Sequence, residues 1–505
     1  MGGACSRKPE RDYEDSPCRG LSRRFCKSGS LKWWTSSFAY PSVDFHLRKG
    51  DCPSLLELCI KKINEDIDRY NTFSMLPRDI SQQIFNKLVC SQRLTSVSLE
   101  AFRDCALQDL DLGEYAGVND SWMDVISSQG SSLLSVDLSG SEVTDFGLSY
   151  LKYCENLLSL NLNYCDQISD HGLECISGLS NLTSLSLRRN DSISAQGMSI
   201  LSGLVNLVKL DLERCPGIHG GLVHIQGLTK LQSLNIKWCN CITDSDMKPL
   251  SELVCLESLE ISCSKVTNFG ISFLKGLQKL SLLNLEGCLV TAACLDSLAD
   301  LPLLSNLNLN RCNITDDGCE KFSRLENLKV LNLGFNDITD ACLAHLKVLT
   351  KLESLNLDSC RIGDEGLINL AGHRQLKCLV LSDTEVGDTG LHHLSEFKNL
   401  RSLEICGGGL TDAGVKNIRA LSCLMCLNLS QNCNLTDKSL ESISGLTRLI
   451  SLNVSNSRIT NSGLQHLRTL KNLRSLTLES CKVTAYDIKK LRSTHLPNLV
   501  SFRPE

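Results

Sequence analysis

Cysteine, with 27 residues in a chain of 505, is the residue type whose chemistry is weighed first. Cys423-Leu-Met-Cys426 has the spacing of a redox dithiol, and Cys239-Asn-Cys241 places two thiols close enough to share a metal. Leu424 and Leu427 occupy positions that recur as apolar throughout the chain, which makes the thiols around them structural. No His or Cys pair completes a zinc site for Cys239 and Cys241. His392-His393 has no evident ligand partner, and neither a glycine-rich phosphate loop nor a nucleophile–base arrangement stands out. The residues point away from catalysis, and no metal or cofactor is expected.

Binding chemistry is better represented. Tyr164, Arg189, Arg214 and Trp238 follow one another at intervals of 24 or 25 residues, with Arg188 and Lys237 beside them. Arg311 and Phe335 repeat the spacing farther along. Tyr, Trp and Arg are the types enriched in protein-binding hot spots. The bland alternative is a self-paired surface in which Arg214 is neutralised by Glu213 or Asp211. Equivalent later positions, Ser359, Asp383, Gly407 and Gln431, are smaller and less basic. At the other end, Met1-Gly2-Gly-Ala-Cys5-Ser6 fits the N-myristoylation pattern. One acyl chain holds a membrane only marginally, so Cys5 as a palmitoylation site and the basic residues of the tail would have to supply the second signal.

The element that positions these side chains is a repeat. Leu-x-Leu pairs run from Leu110-Leu112 to Leu476-Leu478, fifteen steps over 366 residues, or about 24.4 residues per step. Each pair reads as a short strand with one buried side. Three residues on stands a compact position, such as Cys165, Asn190, Cys215, Cys239, Cys288, Cys312 or Cys360, suited to bonding the backbone of the turn. A phrase such as Ile314-Thr-Asp-Asp-Gly318 then supplies a helix cap, and GLxxLxxLxxL spacing predicts a helix, as in Gly366, Leu367, Leu370 and Leu376.

This phrase resembles the cysteine-containing leucine-rich repeats of F-box receptor proteins. The resemblance covers about four fifths of the chain. It implies an α/β fold, a right-handed leucine-rich-repeat solenoid or horseshoe with parallel strands on the concave side and helices on the convex side, preceded by a small helical module. The expected domains are a flexible basic tail at 1–50, a helical module at 51–105 and a solenoid of about 16 repeats at 106–505. His219-Gly220-Gly221 shortens one link, and Leu496–Phe502 reads as a truncated capping unit.

Two family resemblances compete for residues 51–105. Leu76-Pro77-Arg-Asp-Ile80, with Ile84, Phe85 and Leu88, resembles the first helix of an F-box, which docks a Skp-type adaptor and through it a cullin; the Trp expected later in an F-box is missing. Ser54-Leu55 and Cys59 instead resemble the Elongin-binding box of von Hippel–Lindau-type receptors, with Leu76, Pro77, Ile80, Ile84 and Leu88 then standing as a cullin box. Either resemblance implies the substrate-recognition subunit of a cullin–RING ubiquitin ligase. A third reading makes residues 51–105 a cap over the exposed end of the solenoid. The alternative function is a lipid-anchored signalling scaffold.

Charge separates the regions. Residues 1–50 hold ten Lys/Arg against five Asp/Glu, so of the overall −5 the remainder carries −10. An acidic repeat region lacks the footprint of a nucleic-acid binder. Thiols that recur at one packing position, no secretory leader and no long apolar run together point to the cytoplasm or nucleus, or to the inner face of the plasma membrane if the tail is acylated.

Overall fold

The computed structural model describes residues 53–503. The lipidation sites Gly2 and Cys5 and the basic tail lie outside the described residues. The chain divides into two units, Met1–Leu58 and Cys59–Glu505. Of the first, residues 53–58 are described. They open helix α1 (Leu55–Glu65), where the Ser54 hydroxyl and the Glu57 carboxylate bond each other's backbone N–H at 3.2 and 2.6 Å.

Within the second unit, seventeen three-residue strands pair in sequence order into one parallel sheet. Leucine faces leucine at rung after rung, as in Leu160↔Leu185 and Leu185↔Leu210. This is a leucine-rich-repeat solenoid with a helical module before it. The seventeenth strand, Ser501–Arg503, belongs to the shortened final unit and pairs with Ser475–Thr477. Strand rungs sit about 4.8 Å apart while a helix needs about 10 Å, so the strand side is the inner one.

The backs of the repeats are shorter than the leucine spacing predicts. Asp364–Ile368 is a five-residue helix that stops before Leu370 and Leu376, although both remain buried. Elsewhere 3₁₀ turns take over, as at Gly197–Gly203 and Gly390–Glu396. A 3₁₀ turn rises about 2.0 Å per residue against 1.5 Å for an α-helix, so it spans the back of a short repeat with fewer residues.

The Thr-Asp-x-Gly phrase has a reason beyond capping. Each Asp carboxylate reaches the next repeat, where one oxygen accepts a backbone N–H and, wherever that residue is Thr or Ser, the other accepts its hydroxyl; Gly363 and Gly387 give the N–H bond alone. Asp120 holds Thr144 at 2.8 and 2.6 Å, and Asp437 holds Thr460 at 2.8 and 2.7 Å. The Thr hydroxyl meanwhile caps its own helix, as Thr339 does by accepting from Ala341 N–H. Glycine follows because the carboxylate fills the space a side chain would need: a Cβ on Gly366 would stand 2.2 Å from Asp340 Oδ1. The ladder lapses at Ala195, at Gly220 and at Ala292, where no Asp stands. At the first gap Asp246 reaches back instead, taking His219 Nδ1 at 2.9 Å and Gly220 N–H at 2.7 Å.

A second ladder explains the recurrent cysteine. Cys215 Sγ donates to Leu187 O at 3.1 Å and Cys312 Sγ to Leu285 O at 3.2 Å, each reaching the preceding repeat. Asn190 and Asn336 make the same contact through their side-chain amides, at 2.9 and 2.8 Å. A thiol and an amide are interchangeable here because each is compact and each donates.

Helix α2 (Arg78–Cys90) closes the N-terminal end of the second unit. Ile84, Phe85 and Leu88 are fully buried, and the Phe85 ring meets Phe102 edge-on at 5.5 Å. Gln82 treats the first strand, Asp109–Asp111, as another strand would. Its amide nitrogen donates to Asp109 O at 2.6 Å, and its oxygen accepts from Gln108 and Asp109 N–H at 3.0 and 3.2 Å. The backbone edge is thereby satisfied and blunted.

Candidate functional site: the edge of the strand face

Every repeat turns at the same place, two residues after its second leucine, and it turns with a left-handed backbone. All sixteen residues at this position have positive φ, between 49° and 70°. Strand-end Asn and Asp side chains organise the turn: Asn161 Oδ1 accepts Asn163 N–H at 3.1 Å, and Asp211 Oδ1 accepts Glu213 N–H at 3.0 Å. The left-handed residue then donates its own N–H across to the next repeat, as Tyr164 does to Arg188 O at 2.8 Å.

Such a turn suits glycine, asparagine or aspartate, and Gly140, Gly287, Asp383, Gly407 and Asn456 occupy it in their repeats. Tyr164, Arg189, Arg214, Trp238, Arg311 and Phe335 occupy it too, at φ 58°, 55°, 60°, 62°, 55° and 55°. Holding a bulky side chain in this region costs about 1 kcal/mol or more each. The large side chains add little to the core in return: Tyr164, Trp238 and Phe335 remain 42%, 44% and 39% exposed.

They stack on one another instead. The Arg189 guanidinium lies 5.6 Å from the Tyr164 ring centre, Arg214 lies 5.5 Å from Trp238, and Arg311 lies 4.0 Å from Phe335. Cys263 and Gly287 separate the second pair from the third. The structure thus brings the candidate residues into one edge row, divided into a group of four and a group of two.

Arg188 and Lys237 belong to the strand face beside that row. Arg188 is half-buried, pairs with Glu213 and lies 3.7 Å from Asp211. Burial holds the Glu260 carboxyl above its usual range, against the Asn284 hydrogen bond and the Lys237 charge, which both lower it. The self-paired alternative is therefore realised at Arg188. At Arg214 it is weak, with Nε 3.9 Å from a Glu213 carboxylate already engaged by Arg188. Arg189 has no acidic partner among the described residues.

The later repeats place acids on the same face. Burial pushes the Asp358 carboxyl up to about 6, and the neighbouring Asp383 and Glu404 add to that rise. Glu404 is raised by burial as well. This group was not singled out by the sequence reading, because Asp358 and Glu404 fall in different columns of the repeat.

The remaining candidates distribute unevenly. Leu55 is 78% exposed and Cys59 is exposed, as a docking residue must be. Pro77 is exposed, and Leu76 and Ile80 are half-buried against the core. For Ile84, Phe85 and Leu88 the adaptor-contact reading is corrected: they form the interior of the cap and offer no surface. Among the weighed thiols, burial lifts Cys239 to about 12 and also raises Cys241 and Cys426, which keeps them protonated.

Comparison with known proteins agrees with the fold. Leucine-rich-repeat family models match residues 302–362 and 398–459 and, in a second form, 153–177, 178–202 and 227–251. No curated protein matches the chain. Among solved structures, a leucine-rich-repeat protein of Leptospira interrogans is similar with a TM-score of 0.52 at 21% identity, over 73% of this chain and 95% of that one. An internalin from Listeria monocytogenes is similar at 0.41 and 23% identity, over 74% and 88%. A plant peptide hormone receptor is similar at 0.41 and 15% identity, over 81% and 75%.

Proposed function

We propose that this chain, a leucine-rich-repeat protein, is a non-catalytic recognition subunit that holds a partner protein on its strand face. Leucine-rich repeats generally bind proteins, and the row of Arg and aromatic residues kept in left-handed turns is the observation that carries the reading here. Strain of this kind persists where a surface needs those side chains. An aromatic ring with a stacked guanidinium is pre-ordered, so little freedom is lost when a partner arrives.

The finer form of the proposal is the target-recognition arm of a cullin–RING ubiquitin ligase. The strand face would hold the target; for the adaptor, the first unit offers exposed Leu55 and the second unit offers exposed Cys59 and Pro77. Burial of Ile84 and Leu88 removes surface from both boxes alike, and burial of Phe85 removes a further F-box position, so the exposed residues carry the docking reading. The subunit performs no chemistry itself and raises the effective concentration of the target's lysines near the charged ubiquitin carrier. It would work in the cytoplasm; no helix among the described residues is long and apolar enough to cross a membrane.

The test is affinity capture of the full chain from its native cells, with bound proteins identified, for wild type, Leu55→Ala/Cys59→Ala and Leu76→Ala/Pro77→Ala. Elongin lost only from the first variant supports the Elongin-type reading. A Skp-type adaptor lost only from the second restores the F-box. Absence of any cullin from wild type removes the ligase reading and leaves the scaffold, membrane-held if Gly2 proves acylated.

A further inference from the structure

Resting on the protein-binding reading above, we propose that Arg189 and Arg214 together bind one phosphorylated side chain of the partner. Three observations converge on it. The order along the edge is Tyr164, Arg189, Arg214, Trp238, so the rings stand outside and the two guanidinium groups stand on adjacent rungs between them. Like charges on neighbouring rungs repel, and an anion bound by both would relieve that repulsion. The protein provides little of that relief: Arg189 has no acidic partner among the described residues, and the carboxylate 3.9 Å from Arg214 is shared with Arg188, which holds its other oxygen.

The stacking also decides what is left free. A guanidinium held over a ring keeps N–H groups directed away from it, and those form paired bonds to carboxylate or phosphate oxygens. Two such edges, one with no acidic partner among the described residues and one facing only a shared carboxylate at 3.9 Å, match a dianion with three acceptor oxygens, which is a phosphate monoester. A single carboxylate would leave one guanidinium unmatched. The group of two, Arg311 and Phe335, offers one cation and would take a single acidic side chain farther along the same bound segment.

Trp238 reports on the site directly. Its emission in the full chain is titrated with inorganic phosphate and with acetate at constant ionic strength, and Trp238→Phe assigns the signal. A degenerate peptide library with a central phosphoserine, phosphothreonine or phosphotyrosine is then passed over the immobilised chain before and after phosphatase treatment. Phosphate is expected to change the emission where acetate does not. Retention should fall at least tenfold on dephosphorylation, and equally in Arg189→Gln/Arg214→Gln with an unchanged melting temperature. Arg189→Lys/Arg214→Lys, which keeps the charge and loses the fork, should fall in between, and Ser359→Ala should match wild type. Equal retention of treated and untreated peptides, or retention that survives the double glutamine variant, overturns the proposal. A protein partner released by Arg189→Ala/Trp238→Ala but indifferent to phosphatase would overturn the phosphate assignment and leave the protein-binding function standing.

Discussion

The repeats around Tyr164–Trp238 and those around Ser359–Gly407 share one backbone, one ladder of leucines and one left-handed turn, yet they present opposite surfaces. In the first, the turn carries two rings and two cations, and carboxylates on the adjoining strand face are tied to Arg188. In the second, the turn carries Ser359, Asp383 and Gly407, and Asp358 is buried without a cation in contact. The scaffold therefore sets where side chains project and leaves their chemistry free. The surface to which a function is assigned is the one that keeps rings and cations in that turn.

The comparison breaks most sharply in binding. Arg189→Ala with Trp238→Ala should weaken partner capture about 100-fold, roughly 3 kcal/mol, while Ser359→Ala with Gln431→Ala should change it by less than a factor of two. Equal losses from both pairs in a titration would make the regions equivalent and sink the assignment.

A smaller contrast lies in stability against pH. The folded chain keeps the Asp358 proton up to about pH 6, whereas the unfolded chain releases it near the ordinary value of 3.8. The unfolded state therefore gains relative to the folded one as pH rises through that window, and stability falls until about pH 6 and is level above it. Asp358→Asn should be more stable than wild type by on the order of 1–3 kcal/mol at pH 7.5, with the difference gone below about pH 4. Asp211 is also raised by burial, but the Arg188 charge opposes the rise, so Asp211→Asn should gain less or lose. Denaturant melts of both variants at the two pH values read the outcome directly.

Glycine sharpens the argument about strain. Arg189→Gly should raise stability by about 0.5–1 kcal/mol, or leave it unchanged once the lost stacking on Tyr164 is counted, while it weakens binding. Ser359→Gly should raise stability to a similar extent with no effect on binding. A clear loss of stability in Arg189→Gly would mean that the arginine is there for the fold. The smallest effect is expected at the second pair, where Arg311→Gln should weaken capture about two- to threefold, an effect that fades as salt is raised from 50 to 300 mM.

Much of the architecture was legible because repetition makes one physical requirement visible many times. Leucine at a fixed step specified the strands, and the compact residue three places later specified a buried backbone bond, which Cys215 and Asn190 both make. The candidate row was legible from residue types in one column. Its left-handed backbone was not read, although Gly140, Gly287, Gly407 and Asn456 in that same column carried the signal. Helix lengths along the back were overestimated, because leucine spacing records burial and a turn of 3₁₀ or irregular chain can bury the same residues.

Sequence periodicity alone determined the stacked parallel sheet, since a repeat that cannot bury its apolar face alone must stack on its neighbours. Tertiary structure decided the questions that depend on distance between repeats. It placed Ile84, Phe85 and Leu88 inside the cap, where an amphipathic helix by itself could equally have faced a partner. It gave Glu213 to Arg188 and left Arg189 unmatched, a choice set by reach across adjacent rungs. It also showed that the aspartate of one repeat, as Asp340 does for Gly366, forces a glycine on the next, a coupling that lies between copies and so is invisible within any one of them.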